Sequence, residues 1–175
     1  VDPHLYKASE GDVSKLTNAD VVFYSGLHLE GKLVDVFERM GRSSNTVALA
    51  EVLDKDGLIG SEYFASSYDP HIWFNIEYWK QITSYPADEL GTIDPKNADF
   101  FEKNKLAYLE QLDQLEKEVR QTIATLPEDK RVLVTAHDAF SYFGKEYGFE
   151  VVGLQGLSTA TEAGVQDVQN LADLI

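Results

Sequence analysis

The chain has no cysteine, and that absence removes disulfides, thiolate metal sites and cysteine nucleophiles from consideration. Basic residues are scarce as well. Fifteen lysines and arginines stand against 30 aspartates and glutamates, a formal net charge of −15 over 175 residues. Such a surface disfavours nucleic acid and anionic membranes and favours cations as partners. No apolar run approaches the roughly 18 residues that a membrane helix needs, and the N-terminus has no basic and apolar signal region. The segment therefore reads as soluble, with length enough for one good-sized domain or two small lobes. Histidine is rare too: there are only four, so where they fall carries information.

Three of the four fall in related settings. The tripeptide Asp-Pro-His occurs at Asp2-Pro3-His4 and again at Asp69-Pro70-His71, and His137 closes the apolar run Val132-Leu133-Val134-Thr135-Ala136. Proline fixes its own φ near −65° and biases the residue before it toward extended backbone, so each Asp-Pro-His is a stiff loop that aims an imidazole. In open α/β sheets, ligands bind beyond the carboxyl ends of the strands, where these histidines fall. Three imidazoles brought together there make a transition-metal site, and the neighbouring Asp2, Asp69 and Asp138 suit the second ring nitrogen that a metal-bound histidine passes to a carboxylate. The competing reading is three buried histidines satisfied by those same aspartates. His28, in Gly26-Leu27-His28-Leu29-Glu30, opens a helical pattern and shares no context with the others. It is read as structural or surface.

The rhythm of elements is α/β. Ser9, with Asp12 three residues on, marks a helix start. Asp20 to Tyr24 is a short strand, followed by the helical spacing Leu29, Leu33, Val36, Phe37, Met40 and a second strand at Thr46 to Leu49, the pattern of parallel βα units. Residues 51–68 are acidic and without period, which predicts an exposed loop. A helix starts near Ile76, and Pro86 is expected to interrupt it. Asp94-Pro95 opens the clearest element, whose apolar positions run from Phe101 through Leu126 to Pro127. About 30 residues at 1.5 Å each form a rod of roughly 45 Å, a spine between two lobes. Beyond it come a strand at Arg131 to Thr135, a helix at about Ala139 to Tyr147, a strand at Val151 to Leu154, and a helix from about Glu162 with Thr159 as its cap.

Four stretches carry a family resemblance: Val1-Asp2-Pro3-His4-Leu5-Tyr6 with Asp12, Asp69-Pro70-His71-Ile72-Trp73-Phe74, Thr135-Ala136-His137-Asp138-Ala139-Phe140 with Tyr142-Phe143, and Gly153-Leu154-Gln155-Gly156-Leu157-Ser158-Thr159. In order and register the chain resembles the TroA-like metal receptors, the solute-binding proteins of bacterial ABC importers for zinc and manganese. The resemblance implies two βα lobes with parallel sheets joined by one long rigid helix, the metal held between them. It maps the first lobe to residues 1–92, the linking helix to 93–127 and the beginning of the second lobe to 128–175. Carried over by position, His4 and His71 are the first-lobe ligands and His137 the first ligand of the second. The fourth, an aspartate, lies in a part of the second lobe beyond this segment, and the opening strand and helix of the first lobe are missing too. Both lobes are therefore expected to be incomplete here.

The resemblance further implies Zn2+ or Mn2+ as transported ligand, an ABC permease as membrane partner, a monomer, and an extracytoplasmic location, in the periplasm or lipid-anchored on the outer face of the membrane. His137, where manganese receptors typically carry glutamate, points to zinc. The lack of a histidine-rich loop before Asp69 points the other way. No catalytic role is expected. The alternative from another class is a zinc hydrolase or lyase, in which three histidines and an open position activate water. Surface adhesion has no signature in these residues.

Overall fold

Among the described residues, two short parallel strand pairs, one in each half of the chain, organise the structure. The protein is described by a computed structural model covering residues 2–40, 46–61, 68–154, 164, 169 and 172. In the first pair β1 (Val22–Tyr24) lies beside β2 (Thr46–Ala48), with Val22 opposite Thr46 and Tyr24 opposite Ala48. In the second, β3 (Val132–Thr135) lies beside β4 (Glu150–Gly153), with Val132 opposite Glu150 and Thr135 opposite Gly153. Parallel strands require a crossover, and helices supply both: α2 (Val34–Met40) in the first pair and α5 (Ser141–Tyr147) in the second. This is the α/β fold expected from the alternation of short apolar runs with helical spacing.

Helix α1 (Glu10–Thr17) starts on a full capping box: the Ser9 hydroxyl accepts the Asp12 N–H, and the Asp12 carboxylate accepts the Ser9 N–H. Helix α3 (Ile76–Ile93) is capped by Asn75, whose side chain accepts from the Tyr78 N–H. A 3-10 turn at Pro95–Asn97 then leads into α4 (Ala98–Ala124), 27 residues and about 40 Å long. Helices α3 and α4 run antiparallel: Lys80 meets Asp113 at 2.6 Å and Lys105 meets Asp88 at 2.9 Å. Helix α4 also reaches the second half, where the Tyr147 hydroxyl donates to Glu116 at 2.6 Å and Arg120 pairs with both Glu116 and Glu146. Among the described residues no helix is long and apolar enough to cross a membrane.

Two expectations are corrected. Pro86 does not interrupt its helix but lies within α3. It removes one N–H from the ladder, and the turn before it is reinforced by hydroxyls, Thr83 donating to the Trp79 carbonyl and Ser84 to that of Lys80. Packing against α4 and the burial of Ile82, 2% exposed, hold the helix through the defect. Nor is the stretch after Glu51 simply an exposed loop. Short 3-10 turns at Leu49–Val52 and Lys55–Gly57 turn Leu53 and Leu58 into the main core, with Leu27, Ala50, Ile72, Ile82 and Tyr142. Full burial of each such side chain contributes about 1.5–3 kcal/mol, and irregular turns achieve it without any periodic spacing. The cap expected at Thr159 and Glu162 lies outside the described residues.

Candidate metal centre

Both Asp-Pro-His tripeptides fold the same way. In each, the aspartate Oδ1 accepts the N–H of the histidine two residues on, at 2.9 Å in both copies, and the proline between stiffens the turn. The first copy is held further by the Tyr6 N–H donating to the Asp2 carbonyl at 3.0 Å and by the Tyr6 hydroxyl donating to Asp12 at 2.6 Å. Gly31 matters here. With φ of +29°, it lets the chain pass so close that a Cβ would sit 2.3 Å from the His4 carbonyl oxygen. His4 is consequently buried, although it lies near the start of the chain.

His71 sits one residue before a 3-10 turn (Ile72–Phe74) that leads into α3, and it is 1% exposed. Its Nδ1 donates to Asp69 Oδ1 at 2.7 Å, and Asp69 is fully buried. With the proton fixed on Nδ1, the neutral ring carries its lone pair on Nε2. His137 follows β3 in a tight turn: its carbonyl accepts from the Thr135 hydroxyl at 2.8 Å and from the Ala139 N–H at 2.9 Å. That turn lies directly on β4. At Gly153 a Cβ would fall 2.4 Å from the Asp138 Cβ and 2.7 Å from its Cα, so only glycine admits this approach.

The three loops bring their imidazoles to one point. Nε2 of His71 is 3.2 Å from Nε2 of His4 and 3.0 Å from Nε2 of His137, and one nitrogen from each ring lies within 4.8 Å of the others. One lone pair on His71 serves one good N–H donor, yet two nitrogens approach it. Nitrogens bound to one zinc at about 2.0–2.1 Å in tetrahedral array are about 3.3–3.4 Å apart, so His71 already stands close to ligand spacing from each of the other two, and the set holds a cation once the three nitrogens draw in from the 4.8 Å that bounds them. Burial, followed by the neighbouring His71, pushes the His4 imidazole below its ordinary pKa, and the nearby Asp2 opposes it. Burial likewise pushes the Asp138 carboxyl up. A cavity of about 300 Å³ opens on the site, walled by Pro3, Trp73 and Ala139.

His28 takes no part. It lies in the turn after β1 with φ of +63°, beside Leu27 at +51°, and the helical turn begins only at Gly31. Sequence reasoning passed over Trp73, which meets the His71 ring edge-on at 5.3 Å. It also gave no role to the Phe74–Phe140 stack at 4.2 Å or to Tyr142, buried beneath the His71 loop. Only the motif context around His71 and His137 pointed toward them.

Short parallel sheets, a long helix and three histidine-bearing loops together define an α/β protein with a candidate transition-metal centre. The whole chain, residues 1–175, matches the family described as zinc-uptake complex component A periplasmic (ZnuA), and it belongs to that family. It is 51% identical over 175 residues to the manganese-binding lipoprotein MntA of Bacillus subtilis and 45% identical over 175 residues to the zinc-binding protein TroA of Treponema pallidum. All of this chain is covered in both cases, against 57% of MntA and 56% of TroA, so it spans little more than half the length of these relatives. The solved structure of the periplasmic zinc-binding protein TroA from Treponema pallidum superposes with a TM-score of 0.94 at 44% identity, covering 100% of this chain and 62% of that one.

Proposed function

We propose that this chain is the ligand-bearing part of an extracytoplasmic receptor that captures Zn2+ or Mn2+ and passes the ion to an ABC permease. The observation that carries the reading is the convergence of the Nε2 atoms of His4 and His137 on that of His71, at 3.2 and 3.0 Å. The set fits a borderline divalent ion by ligand type, and the acidic surface favours cations as partners. The relatives MntA and TroA, named for manganese and zinc, support the same cargo. Residues 1–92 form the first lobe in this reading, 93–127 the linking helix and 128–175 the start of the second lobe.

The protein in this reading carries metal and does not use it for catalysis. Its family is named for zinc uptake, and the buried acid nearest the imidazoles, Asp69, is already engaged in orienting His71. The test is titration of the full-length protein containing this chain with zinc and manganese in competition with a chelator. Alanine at His71 or His137 should lower affinity at least about 10-fold, since each removes a ligand bond, whereas His28→Ala should leave it unchanged. A loss of that size at His28, or none at His71, contradicts the assignment.

A further inference from the structure

Ile59 and Asp69 face each other at the foot of the loop that presents His71, next to the antiparallel bridge between Gly60 and Tyr68. The Asp69 N–H donates directly to the Ile59 carbonyl at 2.8 Å. An ordinary antiparallel pair would return the favour with a direct Ile59 N–H to Asp69 carbonyl bond. Here that bond is relayed by a side chain from the other half of the chain. The Ile59 N–H donates to the Tyr142 hydroxyl at 3.1 Å, and the hydroxyl donates to the Asp69 carbonyl at 2.9 Å. Tyr142 stands on α5, just after the His137 turn, and is 1% exposed. Its ring packs edge-on to Tyr78 on α3, and burial keeps the phenol protonated by raising its pKa.

We infer that Tyr142 is a positioning residue for metal capture: its hydroxyl, inserted into the Ile59–Asp69 pair, fixes where His71 stands relative to His137. The inference rests on the proposed metal site and adds a coupling between the two halves of the chain. A hydroxyl inserted in a strand pair has two arrangements, in and out. With Tyr142 in, α5 and the His71 loop are locked in one geometry, and the two imidazoles meet. With Tyr142 withdrawn, the pair closes on itself or takes up water, and the His71 loop is released from the element that carries His137. Metal binding favours the first arrangement, and breaking that arrangement favours release. Two other polar contacts of α5 on the first half, Lys145 on the Gly57 carbonyl and Glu146 on the Asn75 amide, are more exposed and do not involve the Ile59–Asp69 pair.

Tyr142→Phe in the full-length protein keeps the ring and removes only the relay. Zinc affinity should fall about 10-fold, equivalent to about 1.4 kcal/mol, mainly through faster dissociation. The visible bands of the cobalt-loaded protein should change in position or intensity. The comparison is Ile82→Val, which trims the same core without touching the relay; it should lower the thermal midpoint but leave affinity and cobalt bands as in wild type. Unchanged affinity and bands in Tyr142→Phe, with wild type binding normally, overturn the inference and leave the metal site standing. Failure of wild type to bind either metal overturns both. Should Tyr142→Phe not fold, exchange of the Ile59 amide in wild type decides: slower exchange on zinc loading supports the relay, and identical exchange in both states overturns it.

Discussion

Gly153→Ala places one methyl group where the backbone of the His137 turn already lies. The added carbon would be 2.4 Å from the Asp138 Cβ and 2.7 Å from both its Cα and its backbone nitrogen. Carbon atoms rest at about 3.5–4.0 Å, so the turn or β4 must move by about 1 Å. Leu154 is tied to Thr135 by a 3.0 Å backbone bond, which resists movement of the strand. The turn should therefore yield, and His137 with it. Overpacking of this kind costs about 1–3 kcal/mol, which lowers the thermal midpoint by several degrees. Metal–ligand distances tolerate about 0.2 Å, so a shift of this size should lower zinc affinity by at least about 10-fold. Calorimetric titration against a chelator and a melting curve on the metal-free full-length protein measure the two effects. A variant that matches wild type in both shows that the turn has room the structure denies it, and the argument for its rigid placement fails.

Three further outcomes follow from particular contacts. Asp69→Asn replaces the anion that holds Nδ1 of His71 and should weaken zinc binding about 10- to 100-fold in a chelator competition, while leaving all three imidazoles in place. Asp12, held down to about 2 by the Tyr6 hydroxyl and then by the Ser9 hydroxyl and N–H, contributes stability that is fully present above its ordinary value near 3.8 and lost as pH falls through about 2. An NMR titration of its carboxyl carbon should show that midpoint in wild type and a rise toward 3.8 in Tyr6→Phe; the same midpoint in both removes Tyr6 as the cause. Pro86→Ala restores an N–H one turn after Ile82 and should raise the thermal midpoint by several degrees, since interior proline costs a helix up to about 3 kcal/mol; an unchanged or lower midpoint shows that α3 has adapted to it.

Much of this arrangement was legible in the residues because physical rules of short range govern it. Asp-Pro-His predicts a stiff turn wherever it occurs, and both copies form the same aspartate-to-amide bond. The capping pair Ser9 and Asp12 and the apolar spacing of α4 are equally local. What escaped is governed by contacts across the chain. Leu53 and Leu58 enter the core from irregular turns, so no period marks them. Pro86 breaks a local rule that packing against α4 overrides. Leu27 and His28 take left-handed backbone without being glycine, in a turn that the Glu30 carboxylate holds by accepting the Ser25 N–H at 2.6 Å and the Gly26 N–H at 3.2 Å. Tyr142 reaches partners 73 and 83 residues away, a distance at which no sequence pattern operates.

His4, His71 and His137 should bind one metal ion together. X-ray absorption at the zinc edge of the loaded full-length protein tests it most directly, because imidazole rings scatter in a pattern that carboxylates and water do not produce. The spectrum should show three imidazole nitrogens at about 2.0–2.1 Å and the loss of one ring in each single alanine variant at the three positions. A shell of oxygen ligands alone, or a wild-type spectrum that survives alanine at all three histidines, would contradict it.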